Sequence, residues 1–299
     1  MISLSLAVCE QKAYNIGEEK NAGRQCAAGL ADNGTEGHMG IYVIDFSPTG
    51  GTRKVMNYLA EGLTEGTLVK KEEIAVIDLT LPTEDYSAYH FETEDVCLIG
   101  MPSYGGRAPQ TALNRMKKME GNGASAVLVA VYGNRDIDDT LLEMKEEAES
   151  CGFHVQAAVA AVAEHSIMRQ FGAGRPDEAD RKELLCFAET IKAVLEQGDK
   201  ERELRVPGNK PYKEYSGISM KPKGGKECTQ CGVCVLQCPV QAIPLSNPRE
   251  TDESKCISCM RCVSVCPKKA RKLNSVLLFA ASKKMEKALS GRKENKLYV

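Results

Sequence analysis

From residue 41 onward the chain alternates short runs, most of them continuously apolar, with longer stretches whose apolar residues recur every three or four positions. Ile41–Phe46, Ile74–Leu79, Val96–Met101, Ala126–Tyr132 and Val155–Val162 have the length and β-branched content of buried strands. Between them, Thr52–Leu63 carries Val55, Met56, Leu59 and Leu63 at helical spacing. Thr111–Met119, the charged Asp138–Glu149 and Glu178–Glu196 read as further helices. Strands apolar along their whole length are buried on both faces, and strand–helix alternation makes the sheet parallel. Residues 39–197 are therefore expected to form a five-stranded, parallel, doubly wound α/β sheet.

The pattern changes on either side of this block. Residues 1–38 mix Gly, Ala, Asn and Glu without periodicity and read as a disordered extension. Met39 stands directly before the first strand and is read as the natural start, so deleting residues 1–38 should leave cofactor content unchanged. Residues 198–226, rich in Lys, Gly and Pro, read as a linker or wrapping segment. Residues 273–299 read as a terminal helix, to about Leu289, with a basic end at Lys283, Lys284, Lys287, Arg292 and Lys293. No apolar run approaches the length of a membrane span. The opening MISLSLAVCEQK lacks the basic n-region of a signal peptide, which points to the cytoplasm.

Charge divides the 299 residues in the same way. Residues 1–199 hold 18 Lys and Arg against 32 Asp and Glu, whereas residues 200–299 hold 21 against 9. An acidic body and a basic tail lie behind a net charge of only −2. The basic terminal run lacks interleaved aromatics, so nucleic acid is not an expected partner.

Eight of the thirteen cysteines fall between positions 228 and 266, in two runs that repeat at 28 residues. Cys228, Cys231, Cys234 and Cys238, followed by Pro239, form one C-x2-C-x2-C-x3-C-P; Cys256, Cys259, Cys262 and Cys266, followed by Pro267, form the other. Zinc modules use four ligands in separated pairs and have no need of a Cys-Pro at this offset. The spacing is that of bacterial two-cluster iron–sulfur segments, in which the fourth cysteine of each run serves the other cluster. On that rule Cys228, Cys231, Cys234 and Cys266 hold one [4Fe–4S] cluster, and Cys256, Cys259, Cys262 and Cys238 the second. Residues 227–272 thus resemble a small α+β 2[4Fe–4S] ferredoxin domain. Such a module relays single electrons.

The first strand runs into Ser47-Pro48-Thr49-Gly50-Gly51-Thr52 at the start of a helix, a turn of hydroxyls and glycines suited to an anion. It is neither G-x-x-x-x-G-K-[ST] nor G-x-G-x-x-G. Two more polar loops, Pro102-Ser103-Tyr104-Gly105-Gly106-Arg107 and Tyr132-Gly133-Asn134-Arg135, follow the third and fourth strands, at the sheet edge where such folds bind ligands. Over residues 40–197 the sequence resembles the flavodoxin family. That resemblance implies that Ser47, Thr49, Gly50, Gly51 and Thr52 hold the phosphate of FMN. It further implies that Pro102–Gly106 and Tyr132–Arg135 flank the flavin ring, with Tyr104 able to stack on it and Arg107 and Arg135 near the reduced ring. Trp, frequent beside flavin rings in flavodoxins, is missing altogether. Glu164-His165-Ser166, after the fifth strand, lies at the same edge.

Together the two parts resemble ferredoxin–flavodoxin fusion proteins, found mainly in anaerobic bacteria and archaea. The resemblance implies an electron-transfer protein passing electrons between two [4Fe–4S] clusters and FMN, with redox partner proteins as donor and acceptor. A flavin-dependent reductase fed by the clusters, and a ferredoxin or redox sensor whose α/β domain binds no flavin, are the alternative expectations.

Overall fold

The apolar runs form strands, four of them covered on both faces and the edge run 75–78 keeping only Ile77 buried. In the computed structural model, which describes residues 40–65, 74–199, 202–215 and 217–299, these are β1 (Ile41–Asp45), β2 (Ala75–Asp78), β3 (Val96–Pro102), β4 (Ser125–Tyr132) and β5 (His154–Val162). The expectations for residues 1–38 and for a start at Met39 lie outside the described residues. Helices α1 (Gly51–Thr64), α2 (Gln110–Met116), α3 (Thr140–Ser150) and α4 (Glu178–Gln197) connect or follow the strands. The two faces separate along β4: Val127, Val129 and Val131 pack toward Val55, Leu59, Leu184 and Ile191 of α1 and α4. Ala126, Leu128 and Ala130 pack toward Leu113, Met116, Leu141 and Met144 of α2 and α3.

The strand order is β2-β1-β3-β4-β5, all parallel. This is the flavodoxin-like doubly wound order, whose ligand crevice opens at the carboxyl ends of β1 and β3, where the order reverses.

A sixth strand extends the sheet. β8 (Lys296–Tyr298) runs antiparallel to β5, pairing Leu297 with Val159. Three residues with a single apolar side chain leave no readable periodicity, so this strand cannot be recognised from its own sequence. It is held by polar side chains. The buried Asn295 accepts from the Val162 amide at 2.8 Å and donates to Glu183 at 2.6 Å and Asp180 at 3.0 Å. Arg292 pairs with Asp177 and Asp180, and the Tyr132 hydroxyl donates to the Glu294 carbonyl at 2.8 Å. The basic tail thus folds back onto the acidic start of α4.

The cysteine-rich segment holds two one-turn helices, α5 (Val233–Leu236) and α6 (Arg261–Ser264), and a short antiparallel ladder of β6 (Lys223–Gly224) with β7 (Arg271–Lys272). The terminal helix α7 (Ser275–Leu289) packs Leu289 and Met285 against Ile167, Met168 and Met260. The described part of residues 198–226 is pinned as a strap across α3. Asp139 accepts from the amides of Asn209 (2.8 Å) and Lys213 (2.6 Å), and Arg107 donates to the Lys213 carbonyl at 2.8 Å.

Candidate functional site

The eight cysteines of the two repeats are gathered in two groups, each around its own hollow. Cys228, Cys231, Cys234 and Cys266 line one of about 330 Å³, counted out to solvent. Cys238, Cys256, Cys259 and Cys262 line the other, of about 320 Å³. Each hollow therefore takes three cysteines from one run and the last cysteine of the other run. Tight turns at positive φ, at Gln230, Gly232, Ser258 and Met260, bend the chain around these spaces. Backbone amides point at the sulfurs: Ala242 to Cys238 at 3.3 Å, Ala270 to Cys266 at 3.2 Å, Ser258 to Cys256 at 3.4 Å. Among the described residues no three His, Cys, Asp or Glu side chains converge as ligands of a single metal ion. Sulfurs spread around a space fit a polynuclear cluster, which occupies that space, better than one ion. A second fit is electrostatic: the fully buried Arg271 lines the first hollow, and its Nε has no partner.

Beside the second hollow lies a cleft of about 690 Å³, counted to its open mouth, at the carboxyl edge of the sheet. Its floor is made by the loops after β1, β3, β4 and β5, and its far wall by Tyr215, Ile218, Ile257 and Ser258. Of the residues expected at a flavin, Thr49, Gly51, Thr52, Pro102, Ser103, Tyr104, Gly105, Tyr132 and Gly133 line it.

At the phosphate-type loop, Gly50 takes a left-handed turn at φ 88° and the chain enters α1. Ser47 is buried beneath the loop, its Oγ accepting from the Arg53 amide at 2.9 Å and its own amide donating to Thr80 at 2.9 Å. The first-turn amides of Gly51 and Thr52 make no bond within the helix, which leaves them as donors at the cleft. Arg53 turns away, toward Asp45, with Nη2 2.7 Å from the carboxylate.

Four expected residues serve the framework instead of the cleft wall. Gly106 sits against Asp138 with φ 93°. Arg135 pairs with Asp138, and Arg107 clamps the buried Glu143 at 2.6 and 2.9 Å while stacking 4.6 Å from the Tyr212 ring. A buried carboxylate requires such a partner, which claims Arg107 for Glu143 before any ligand. Asn134, itself buried, donates to the carbonyls of Leu289 (2.6 Å) and Gly291 (2.7 Å) and so fastens the end of α7. The roles of Gly106, Arg107 and Asn134 involve residues distant in sequence, whereas Arg135 is held within its own loop.

Other cleft residues gave little sequence signal. His165 accepts at Nδ1 from the amides of Ile167 (3.1 Å) and Met168 (3.2 Å), which places its proton on Nε2. Burial lowers its pKa, so the ring is neutral near pH 7. Gly133 makes room for it: a Cβ there would come within 2.9 Å of His165. Tyr215, from the strap, covers Gly105, and its buried hydroxyl has no partner. Burial pushes the phenols of Tyr104 and Tyr215 up, for Tyr104 with added contributions from nearby Cys259 and Tyr215. The strap's sequence is that of a linker, so only folding brings Tyr215 here.

The cysteine module is bolted to this edge. Arg261 and Ser264 of α6 donate to the Pro48 carbonyl at 3.3 and 3.4 Å. Arg115 of α2 bridges the carbonyls of Leu79 and Pro239, each at 2.5 Å. Ile257 and Ser258 line both the cleft and the second cysteine hollow.

Residues 227–274 match the 4Fe–4S dicluster domain family. Two [4Fe–4S] clusters are accordingly cofactors of this protein, and the cysteine-rich segment is an iron–sulfur electron-transfer domain. No curated protein matches the chain in sequence. Among solved structures, the flavodoxin of Streptococcus pneumoniae TIGR4 is similar at 19% identity, covering 51% of this chain and 97% of its own, with a TM-score of 0.38. Flavodoxin 1 from Bacillus cereus is similar at 18% identity over 50% and 95%, with a TM-score of 0.35. The rubredoxin oxygen:oxidoreductase of Desulfovibrio gigas is similar at 15% identity over 55% and 37%, with a TM-score of 0.38. The strand order itself defines the fold. The chain joins a flavodoxin-like α/β domain to a 4Fe–4S dicluster domain, and no described helix is long and apolar enough to cross a membrane.

Proposed function

We propose that the cleft holds FMN and that single electrons pass between it and the two clusters. When bound, a flavin exchanges one or two electrons and each cluster one, so the pair couples two-electron to one-electron chemistry. The observation that carries this reading is the shared wall: Ile257 and Ser258 line both the cleft and the hollow of the second cysteine group.

In this reading Cys228, Cys231, Cys234 and Cys266 ligate the outer cluster, and Cys238, Cys256, Cys259 and Cys262 the one beside the flavin. Thr49 and the amides of Gly51 and Thr52 receive the phosphate. Tyr104 and Gly133 border the ring, while the Tyr215 hydroxyl and the His165 Nε2–H supply donors to its polar edge. Arg261 and Ser264, by gripping the Pro48 carbonyl, keep the module and the phosphate loop in one frame. Cys231 is exposed whereas Cys238 and Cys259 are buried, so redox partner proteins would exchange electrons at the outer cluster. Thiolate ligation suits a reducing compartment, which favours the cytoplasm.

The test is iron, acid-labile sulfide and flavin content in protein purified without oxygen, followed by single-turnover reduction monitored at flavin and cluster wavelengths. About eight iron, eight sulfide and one FMN per chain are expected, as two [4Fe–4S] clusters and one flavin require. Flavin should bleach only when the clusters are intact. A protein that takes up no FMN, or whose flavin reduction does not depend on the clusters, overturns the proposal.

A further inference from the structure

Arg271 is among the largest fully buried side chains, at 1% exposure, and it lies inside the iron–sulfur domain. Its Nη1 donates to the carbonyls of Pro248 (2.6 Å) and Glu250 (3.3 Å), and its Nη2 to the carbonyl of Pro222 (2.6 Å) and the hydroxyl of Thr251. All four acceptors are neutral. Among the described residues no carboxylate pairs with it, in contrast to the buried Arg175, which faces Asp180. Its Nε is buried and unpartnered.

A guanidinium stays charged at any physiological pH, and burying it without a counter-charge is unfavourable. Neutral carbonyls satisfy its N–H groups without neutralising it. Arg271 lines the first hollow together with Cys234 and Cys266, and its charge also bears on Cys262 of the second. A [4Fe–4S] core with four thiolates is a net anion, and each electron it accepts adds one negative charge. The backbone carbonyls, anchored by β7 and the Pro248 turn, fix the cation in place and stop it from swinging out to solvent.

We propose that Arg271 is a shared, permanent counter-charge for both clusters and holds both reduction potentials up. It acts through electrostatics on the clusters and is a positioning and tuning residue. One electron enters a cluster, no bond forms or breaks, and the guanidinium neither gains nor loses a proton. The inference depends on the clusters and not on what the cleft holds.

The test uses the full-length protein with clusters intact, in an EPR-monitored redox titration of the wild type, R271Q, R271M and R271K. R271Q and R271M remove the charge, while R271K keeps it. Loss of the charge should make both clusters harder to reduce, on the order of tenfold in the reduction equilibrium, which is about 59 mV for one electron. R271K should restore most of the shift, and wild-type potentials should not depend on pH between 6 and 9. Potentials unchanged in R271Q and R271M, or a shift confined to one cluster, overturn the proposal. If R271Q and R271M assemble no clusters, R271K decides: clusters at near wild-type potential support the counter-charge, and failure of R271K as well assigns Arg271 to the hydrogen-bonded frame alone.

Discussion

Replacing Asn134 by Ala separates the two roles that its position allows, ring contact and clasp. In the structure its amide nitrogen donates to the carbonyls of Leu289 and Gly291, while its oxygen lies 3.4 Å from the Lys293 amide. Asn134 is 2% exposed and Leu289 1%, so water does not readily replace the lost donor. The buried Leu289 carbonyl, left without its donor, costs about 1–2 kcal/mol, whereas the exposed Gly291 can offer its carbonyl to water. The residue also sits at φ 61°, where Ala adds about 1 kcal/mol of backbone strain that Asn and Gly tolerate better. The C-terminal segment should therefore open more often, by roughly 5- to 30-fold for the 1–2 kcal/mol of the lost bond alone. Amide hydrogen exchange read by mass spectrometry over residues 289–299, and over the β5 residues that pair with β8, measures this directly. Asn134→Gly should show most of the same acceleration, the difference from Ala isolating the strain. Unchanged exchange together with weakened FMN binding would refute the clasp and return Asn134 to the flavin.

The crossed ligand scheme predicts that Cys238→Ser damages the cluster shared with Cys256, Cys259 and Cys262, and leaves largely intact the one nearer it in sequence; Mössbauer or EPR signals that show the reverse would contradict it. Gly133→Ala should push His165 aside, and His165→Leu should remove its Nε2–H; each is expected to weaken FMN binding to apo-protein about tenfold, the worth of one good hydrogen bond, with His165→Gln restoring part of it. If the wild type binds FMN and none of these variants changes its affinity, His165 plays no part at the ring. Acid should release the tail. Arg292 holds the Asp177 carboxyl well below its usual 3.8, and at Asp180 the bonds from Arg175, Asp177 and Asn295 outweigh the opposing effect of burial. A depressed native pKa gives stability that is present above the usual value and lost as the pH falls through the native one. Digestion by an acid-active carboxypeptidase should therefore begin only below about pH 4, and earlier in Arg292→Gln; a tail equally resistant from pH 6 to 3 would count against the network.

Strands β1, β3, β4 and β5 and helices α1 to α4 were legible in the sequence because burial on both faces writes long apolar runs, and helices that cover a sheet write a 3.6-residue period; β2, half exposed at the edge, was legible from its β-branched residues. The cysteine runs were legible because cluster ligation demands fixed short spacings along the chain. The sheet's doubly wound class followed from the alternation of the two element types.

What the sequence could not convey are contacts between residues that are far apart along it. Lys296–Tyr298 becomes a strand only because the exposed edge of β5 and the polar groups of Asp180 and Glu183 wait for it. Tyr215 stands in a segment with the composition of a linker, yet Asp139 pins that segment so that the phenol closes the cleft. Asn134 and Arg107 look like ligand residues in their loops and are claimed by partners elsewhere in the fold. The sequence alone thus determined the two modules and the iron–sulfur character of the second, because element periodicity and ligand spacing are local properties. Tertiary structure decided how the modules meet, which residues wall the cleft and where the uncompensated Arg271 lies, because burial and charge pairing depend on neighbours that only folding supplies.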